Sequence, residues 1–257
     1  MDFAIRGKTA LVLGASAGIG EAVALALAGE GVLLAIGARR EEELRRVADA
    51  AKRAGALEAE PFTVDLSDRT SIEKLLAGVR ESVGDPDIVV LNGGGPKPGR
   101  FGDVTIEDWD AAYAQMLRST ILLIDGVLPS MRKKKWGRIV ALTSTSVKQP
   151  IDTLVLSNAY RTALVAALHT LANEVARDGI TVNAIATGRI KTDRLRAIYD
   201  GNEDEMTRKA AEEVPIGRVA TPEEFAPLVA FLCSEPARYV TAQTISIDGG
   251  LTRGLFG

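Results

Sequence analysis

The chain has 257 residues, of which 46% are hydrophobic and 25% are charged, and its formal net charge is −3. This composition is typical of a globular protein with a large apolar core, and the near balance of charge argues against a nucleic-acid partner. A single cysteine, Cys233, excludes an internal disulfide and a cysteine-rich metal site, so we expect no metal and a cytoplasmic location. The stretch before Gly7 is short and contains an acidic residue, which predicts neither a signal peptide nor a membrane anchor.

Short apolar runs alternate with longer helical patterns along the chain. The predicted strands are 9–15, 32–38, 59–66, 87–95, 137–146, 180–188 and 242–250. The predicted helices are 18–31, 41–55, 71–84, a pair within 105–135, about 154–178 and 222–233, while 189–215 shows no regular pattern. The alternation predicts a doubly wound parallel seven-stranded α/β sheet with helices on both faces and strands that are apolar throughout. No linker interrupts the pattern, so residues 1–257 are expected to form a single domain.

A glycine-rich turn, GASAGIG, follows the first strand directly and opens the first helix. Gly14, Gly18 and Gly20 let the chain turn sharply, so that backbone N–H groups and the positive end of the helix can face a pyrophosphate. In this context the turn predicts a Rossmann-type dinucleotide-binding domain. Ser16 and Ile19, which lie in the same turn, are expected to contact the dinucleotide.

The end of the second strand indicates which dinucleotide is bound. An acidic residue here would accept a hydrogen bond from the ribose 2′-OH of NAD, but this chain has Ala38 followed by Arg39 and Arg40. The missing carboxylate and the guanidinium of Arg39 favour NADP over NAD, because a guanidinium suits the 2′-phosphate. The alternative is that both arginines only begin a surface helix and pair with the glutamates at 41–43.

Six stretches resemble the classical short-chain dehydrogenase/reductases, in particular the 3-oxoacyl-(acyl carrier protein) reductases. They are the glycine turn at 14–20, VDLSD (64–68), NGGG (92–95), GRIVALTS (137–144), ITVNAIATG (180–188) and the block 215–250. The resemblance implies an oxidoreductase that moves a hydride between a nicotinamide and a carbon of a small-molecule substrate. It also implies a substrate lid at about 189–215, and a homotetramer or homodimer built on the long helices of the middle third.

The resemblance further implies which residues beyond the first turn contact the cofactor. These residues follow the third, fourth and sixth strands: Asp65, Leu66, Asn92, Gly93, Ile190 and Thr192. By resemblance the first two flank the adenine, the next two line the cofactor and the last two approach the nicotinamide amide. The alternative for Asp65 is a contribution to the N-terminal cap of the next helix, near Ser67.

The catalytic set of the family is a serine, a tyrosine thirteen residues later, a lysine four residues beyond it, and a helical asparagine. Two anchors fix the register here, since thirteen residues forward from Ser144 and twenty-six back from Asn183 both lead to Ser157. The tyrosine position therefore holds Ser157, the lysine position Arg161 and the asparagine position Met116. Of the usual groups, only Ser144 remains.

These replacements change the available chemistry. A serine hydroxyl is a far weaker acid than a phenol, and a guanidinium keeps its proton. Tyr160 lies one helical turn beyond Ser157 and is an alternative acid, although packing between helices is the more common role of such a residue. Ser157 and Arg161 share a helix face and also suit the binding of a carboxylate or phosphate.

Two functions remain open on this sequence. The first is an NADP-dependent oxidoreductase that acts on a small carbonyl, alcohol or enone with a non-standard proton donor. Conjugate addition of hydride to an enone makes less demand on an acid at oxygen, which suits the depleted catalytic set. The second is a dinucleotide-binding protein that has lost turnover and serves as a regulatory or scaffold protein.

Overall fold

The computed structural model describes residues 2–254. Its strands are β1 (Thr9–Leu13), β2 (Leu33–Ala38), β3 (Glu58–Thr63), β4 (Ile88–Leu91), β5 (Gly137–Leu142), β6 (Ile180–Thr187) and β7 (Thr244–Ile247). They form one seven-stranded sheet in the order β3-β2-β1-β4-β5-β6-β7, and every neighbouring pair is parallel. The predicted α/β architecture and the number of strands are therefore confirmed.

Helices cover both faces of this sheet. In the described part of the chain they are α1 (Gly18–Gly29), α2 (Glu41–Ala54), α3 (Arg69–Ser82), α4 (Ile106–Ala112), α5 (Ser119–Lys134), α6 (Val155–Val175), α7 (Asp193–Ile198), α8 (Glu203–Glu213) and α9 (Pro222–Leu232). The buried apolar residues of α1, α2 and α9 belong to one apolar cluster, and those of α3, α5 and most of α6 belong to another. The sheet therefore separates two hydrophobic cores.

The central strands show why the sheet needs apolar residues on both faces. In β1, Ala10 and Val12 point into one cluster, whereas Leu11 and Leu13 point into the other. Successive side chains of a strand alternate between faces, so a central strand with two cores is apolar throughout. The expectation that all strands are apolar is wrong at β3, an edge strand of sequence EAEPFT that is only partly buried.

The segment predicted to be irregular, 189–215, contains the helices α7 and α8. Each begins at a side-chain cap. The Thr192 hydroxyl accepts the N–H of Leu195 at 3.2 Å, and the Asn202 side chain accepts the N–H of Glu205 at 3.0 Å. These caps satisfy N–H groups that have no partner within the helix, which stabilises short helices rich in charged residues.

The strand order creates a crevice at the carboxyl end of the sheet. β1 lies between β2 and β4, so the connections after β1 and β4 leave toward opposite sides. Dinucleotides bind at such a switch point in open α/β sheets. Within residues 2–254, no helix combines the length and the hydropathy that a membrane span requires.

A buried arginine ties the opposite end of the sheet together. Arg138 in β5 is 1% exposed. Its guanidinium donates to the backbone oxygens of Ser234 at 3.0 Å and Gly179 at 3.1 Å, and to the Glu235 carboxylate at 2.9 Å. It also stacks on the ring of Trp136 at 4.2 Å. These contacts join β5 to the segments that follow α9 and precede β6.

We expect Arg138→Met to lower the free energy of unfolding by about 2–4 kcal/mol, because buried acceptors lose their donor. Arg238→Met is the matched control, since Arg238 is exposed and pairs with the same Glu235 at 3.3 Å. Loss of such a surface pair costs less than about 1 kcal/mol. Urea unfolding of both variants at one protein concentration measures the difference. Equal losses would show that the buried contacts do not support the sheet.

Candidate active site

A cleft of about 600 Å³ lies along the carboxyl ends of the central strands. The predicted cofactor residues that line it are Gly14, Ser16, Gly18, Ile19, Arg39, Asn92, Ile190 and Thr192. The predicted catalytic residues that line it are Ser144, Ser157 and Arg161. Five predicted site residues are not part of this lining: Gly20, Asp65, Leu66, Gly93 and Tyr160.

The glycines of the first turn allow three segments to meet. A methyl group added at Gly20 would lie 2.2 Å from the backbone oxygen of Gly14 and 2.9 Å from Asn92 Nδ2. Gly14 itself has a φ of +61°, and a methyl group there would lie 2.6 Å from the Asn92 oxygen. Gly20 therefore shapes the cleft without lining it. It lets α1 approach Gly14 and Asn92 closely enough for the turn to face a phosphate.

Two arginines, Arg39 and Arg40, follow the end of β2. Arg40 Nη2 donates to the Ser16 hydroxyl at 3.2 Å, and Arg39 and Arg40 both line the cleft. Glu41 and Glu43 pair instead with arginines further along α2. Within residues 2–254, neither Arg39 nor Arg40 forms an ion pair, so their charges fit a phosphate in the cleft.

Asp65, Leu66 and Gly93 lie outside the cleft lining. The Asp65 carboxylate accepts the hydroxyl of Ser67 at 2.7 Å and its N–H at 2.8 Å. These bonds, together with the charge of Arg39, lower the pKa of Asp65. The N-terminal cap of α3 is Asp68, whose carboxylate accepts the N–H of Thr70, so Asp65 stabilises the turn that precedes this cap. A methyl group on Gly93 would lie 3.5 Å from a Leu66 methyl carbon, so these two residues adjoin each other.

Three serine hydroxyls cluster at the end of β5 and the start of α6. Ser144 Oγ accepts the N–H of Ser146 at 3.1 Å, and Ser146 Oγ lies 3.4 Å from Ser157 Oγ. Ser157 is 4% exposed and lines the cleft with Ser144. Sequence analysis missed Ser146, although the TSTS run that contains it was visible.

Arg161 reaches across the cleft from α6. Its guanidinium donates to the backbone oxygens of Leu142 at 2.8 Å and Gly94 at 2.7 Å. Burial, with a smaller contribution from the charge of Arg194, lowers the pKa of Arg161 to about 10. The side chain therefore remains a cation at neutral pH. Arg194, which sequence analysis did not select, lines the same cleft and donates to the Pro96 oxygen at 2.9 Å.

Tyr160 and Met116 lie together in an apolar cluster outside the cleft lining. The ring of Tyr160 is 5.7 Å from that of Trp109 and 6.2 Å from that of Tyr113. Burial raises the pKa of Tyr160, which makes the phenol a poorer acid. Met116 is 5% exposed and belongs to the same apolar cluster, in a π-helical turn at Tyr113–Arg118 that joins α4 to α5.

No group of three or more His, Cys, Asp or Glu side chains in the described part of the chain could hold a metal ion. His169 is the one histidine of the sequence. Its Nε2 lies 3.1 Å from the Thr244 hydroxyl, and it does not line the cleft. The polar side chains that line the cleft are hydroxyls, guanidiniums, the Asn92 amide, the Lys191 ammonium and the Asp193 carboxylate.

Comparison with known proteins places these features in context. Residues 14–252 match the family described as enoyl-(acyl carrier protein) reductase. The chain is 32% identical over 251 residues to the 3-oxoacyl-(acyl carrier protein) reductase of Aquifex aeolicus, covering 98% of this chain and 100% of that relative.

Two solved structures are similar over nearly the whole chain. The L-sorbose reductase of Gluconobacter frateurii, complexed with NADPH and L-sorbose, has a TM-score of 0.93 and 31% identity, covering 99% of this chain and 100% of that one. An NADPH-bound short chain oxidoreductase of Pseudomonas aeruginosa, described as containing an atypical catalytic center, has a TM-score of 0.88 and 27% identity. It covers 96% of this chain and 97% of its own.

We expect Gly20→Ala to weaken NADPH binding by at least about tenfold, which corresponds to about 1.4 kcal/mol, because the turn must move away from α1. Gly29→Ala on the same helix is the matched control, since its nearest neighbour would be 4.0 Å away. That variant should keep the affinity within about twofold. Titration of NADPH fluorescence measures both dissociation constants. An unchanged affinity in Gly20→Ala would mean that this close approach does not shape the binding turn.

Proposed function

The chain belongs to the classical short-chain dehydrogenase/reductase family, which makes it an NADP-dependent oxidoreductase, and we propose that it works without the usual tyrosine acid. The proposed reaction is hydride transfer to a small carbonyl or enone, or from the corresponding alcohol. One observation carries this proposal: the Arg161 cation shares the cleft with the Ser144 and Ser157 hydroxyls, where charge would develop on a substrate oxygen.

The cofactor end of the cleft supports NADP. The guanidiniums of Arg39 and Arg40 have no carboxylate partner within residues 2–254, and Ala38 leaves no acidic group to compete for the ribose. A 2′-phosphate would supply the negative charge that pairs with these guanidiniums. When bound, NADPH supplies a hydride. The chain's own residues hold the substrate and stabilise the negative charge that develops on its oxygen after hydride transfer.

Hydroxyls and a fixed cation can stabilise that charge without giving up a proton. The Ser144 and Ser157 hydroxyls can donate hydrogen bonds to the substrate oxygen, and Arg161 can balance its developing negative charge. Preorganised groups in a water-poor site stabilise a developing charge far more strongly than the same groups in bulk water. Because Arg161 keeps its proton, we propose that solvent supplies the final proton.

An enone suits this site better than a simple ketone. Hydride addition at the distal alkene carbon places charge on an enolate, which solvent can protonate at carbon. A saturated alkoxide has no such delocalisation and needs an acid at oxygen at once. The cleft offers only weak acids, since Tyr160 packs against Trp109 and Tyr113 outside it. This arrangement supports conjugate reduction as the favoured chemistry and a packing role for Tyr160.

We also propose that the protein is a homodimer or homotetramer through its middle helices. Phe101 is 77% exposed, Ile106 72% and Ile121 49%, and all three lie between the end of β4 and the first turn of α5. Ala163 and Ala166 on α6 are also exposed. Clusters of exposed large apolar side chains are typical of interfaces between chains.

Steady-state NADPH oxidation across a panel of ketones and enones tests the proposed activity, with NADPH binding measured in parallel. We expect turnover, and faster turnover of the enones, because the enolate places the least demand on an acid. Tight NADPH binding without turnover of any member of the panel would overturn the proposal. It would support instead a dinucleotide-binding protein with a regulatory or scaffold role.

We expect Ser157→Ala to lower kcat/KM by about 10- to 100-fold, because a donor to the substrate oxygen is removed. Tyr160→Phe keeps the ring that packs against Trp109, so it should retain kcat/KM within about twofold. The same NADPH oxidation assay, with the best substrate of the panel, measures both variants. The reverse result, with activity lost only in Tyr160→Phe, would assign the acid to Tyr160.

A further inference from the structure

The cleft holds more positive charge than its own acids can balance. Six basic side chains line it, but only one acidic side chain, Asp193. Two of the six are neutralised: Lys191 and Arg196 pair with Glu203 at 3.1 and 3.0 Å, and Arg196 also pairs with Asp193 at 3.0 Å. The other four are arginines, and within residues 2–254 none of them forms an ion pair.

These four arginines form two separate pairs. Arg39 and Arg40 follow β2, whereas Arg161 and Arg194 lie over the ends of β4 and β5. In the sheet, β1 and β4 separate β2 from β5. Two to three strand spacings of about 4.8 Å therefore divide the two pairs, a distance of roughly 10–14 Å. A 2′-phosphate held by the first pair therefore does not reach the second pair.

One loop holds the second pair side by side. Arg161 donates to the Gly94 oxygen at 2.7 Å, while Arg194 donates to the oxygens of Gly95 at 3.4 Å and Pro96 at 2.9 Å. A methyl group at Gly95 would lie 2.6 Å from the Arg194 guanidinium, so this residue lets the guanidinium rest against the backbone. Backbone oxygens satisfy some N–H groups of each arginine but do not neutralise its charge.

Two neighbouring cations in a partly buried cleft are unfavourable unless an anion joins them. Burial lowers the pKa of both Arg161 and Arg194, and the charge of Arg194 lowers that of Arg161 further. A planar guanidinium matches the two oxygens of a carboxylate. Ser157 and Arg161 lie one helical turn apart, and a small acid is long enough to contact both side chains. The two guanidiniums without an ion-pair partner therefore lie beside the proposed reaction centre.

We propose that Arg161 and Arg194 bind a carboxylate of the substrate, which makes the substrate a small keto acid or an enone that carries a carboxylic acid. This inference rests on the proposed hydride transfer and adds the substrate class. Arg161 then has two roles, because it anchors the carboxylate and places positive charge near the reacting oxygen. Arg194, on α7 of the lid segment 189–215, links that segment to the bound acid.

The probes for the test are trans-4-oxo-2-pentenoate and its methyl ester, which share the ketone and the alkene and differ in the charge. We expect the acid to bind the protein–NADP+ complex at least about tenfold more tightly than the ester, as measured by calorimetry. Arg194→Gln should remove most of this preference and keep the affinity for the ester within about twofold. An acid that binds no more tightly than its ester overturns the proposal.

Arg196→Gln is the matched control. Arg196 lies on the same helix and lines the same cleft, but Asp193 and Glu203 already neutralise it. The preference for the acid should persist in this variant. If both glutamine variants lose the preference equally, the general positive potential of the cleft attracts the acid, and the specific site is refuted.

The competing interpretation is that Arg194 binds the pyrophosphate of the cofactor. In that case Arg194→Gln would weaken NADPH binding and lower the affinity for acid and ester alike, which also overturns the proposal. NADPH oxidation with both probes separates this inference from the proposed function. Selective binding of the acid without turnover would support the anion site and reject hydride transfer. Turnover of both probes without tighter binding of the acid would support hydride transfer and reject the anion site.

Discussion

The close approach of Gly20 to Gly14 and Asn92 is the constraint on which the cleft depends. It brings α1, the end of β1 and the end of β4 together, with no room for a methyl group. The turn after β1 can then present its N–H groups to a phosphate, while the chain after β4 leaves toward the other side of the switch point. That second segment carries the Gly94 oxygen, which Arg161 holds at 2.7 Å. The cofactor end and the catalytic end of the cleft are thus positioned by one contact.

Under the register predicted from the sequence, the departures from the family's catalytic set are consistent with one another. Met116 is buried in an apolar cluster that includes Tyr160, so the position where the family places a polar relay member is apolar here. The serine hydroxyls and Arg161 remain on the cleft side, where they can donate hydrogen bonds and supply charge. Within this turn of α6, Tyr160 therefore contributes to packing, whereas Ser157 and Arg161 face the cleft.

Periodicity predicted most of the fold because strand and helix patterns are local. The register that puts Ser157 and Arg161 in the tyrosine and lysine positions stays a prediction, which rests on two anchors on separate strands. The helices of 189–215 were missed because they are short and rich in charged residues, although the caps at Thr192 and Asn202 were readable signals. Arg194 could not be predicted, because its meaning depends on contacts with a loop about a hundred residues away in the sequence.

Arginine at position 161 does something that lysine could not do equally well. It uses two N–H groups to hold Leu142 and Gly94 and still has further donors in the same plane. An ammonium is a compact point charge that would have to choose between the loop and an anion. Under the proposed function, the guanidinium fixes the loop, faces a carboxylate and polarises the reacting oxygen in one geometry. In the same proposal solvent, and not Arg161, supplies the proton. Such an arrangement suits a reaction in which charge must be stabilised but no strong acid is needed, as in the reduction of an enone acid.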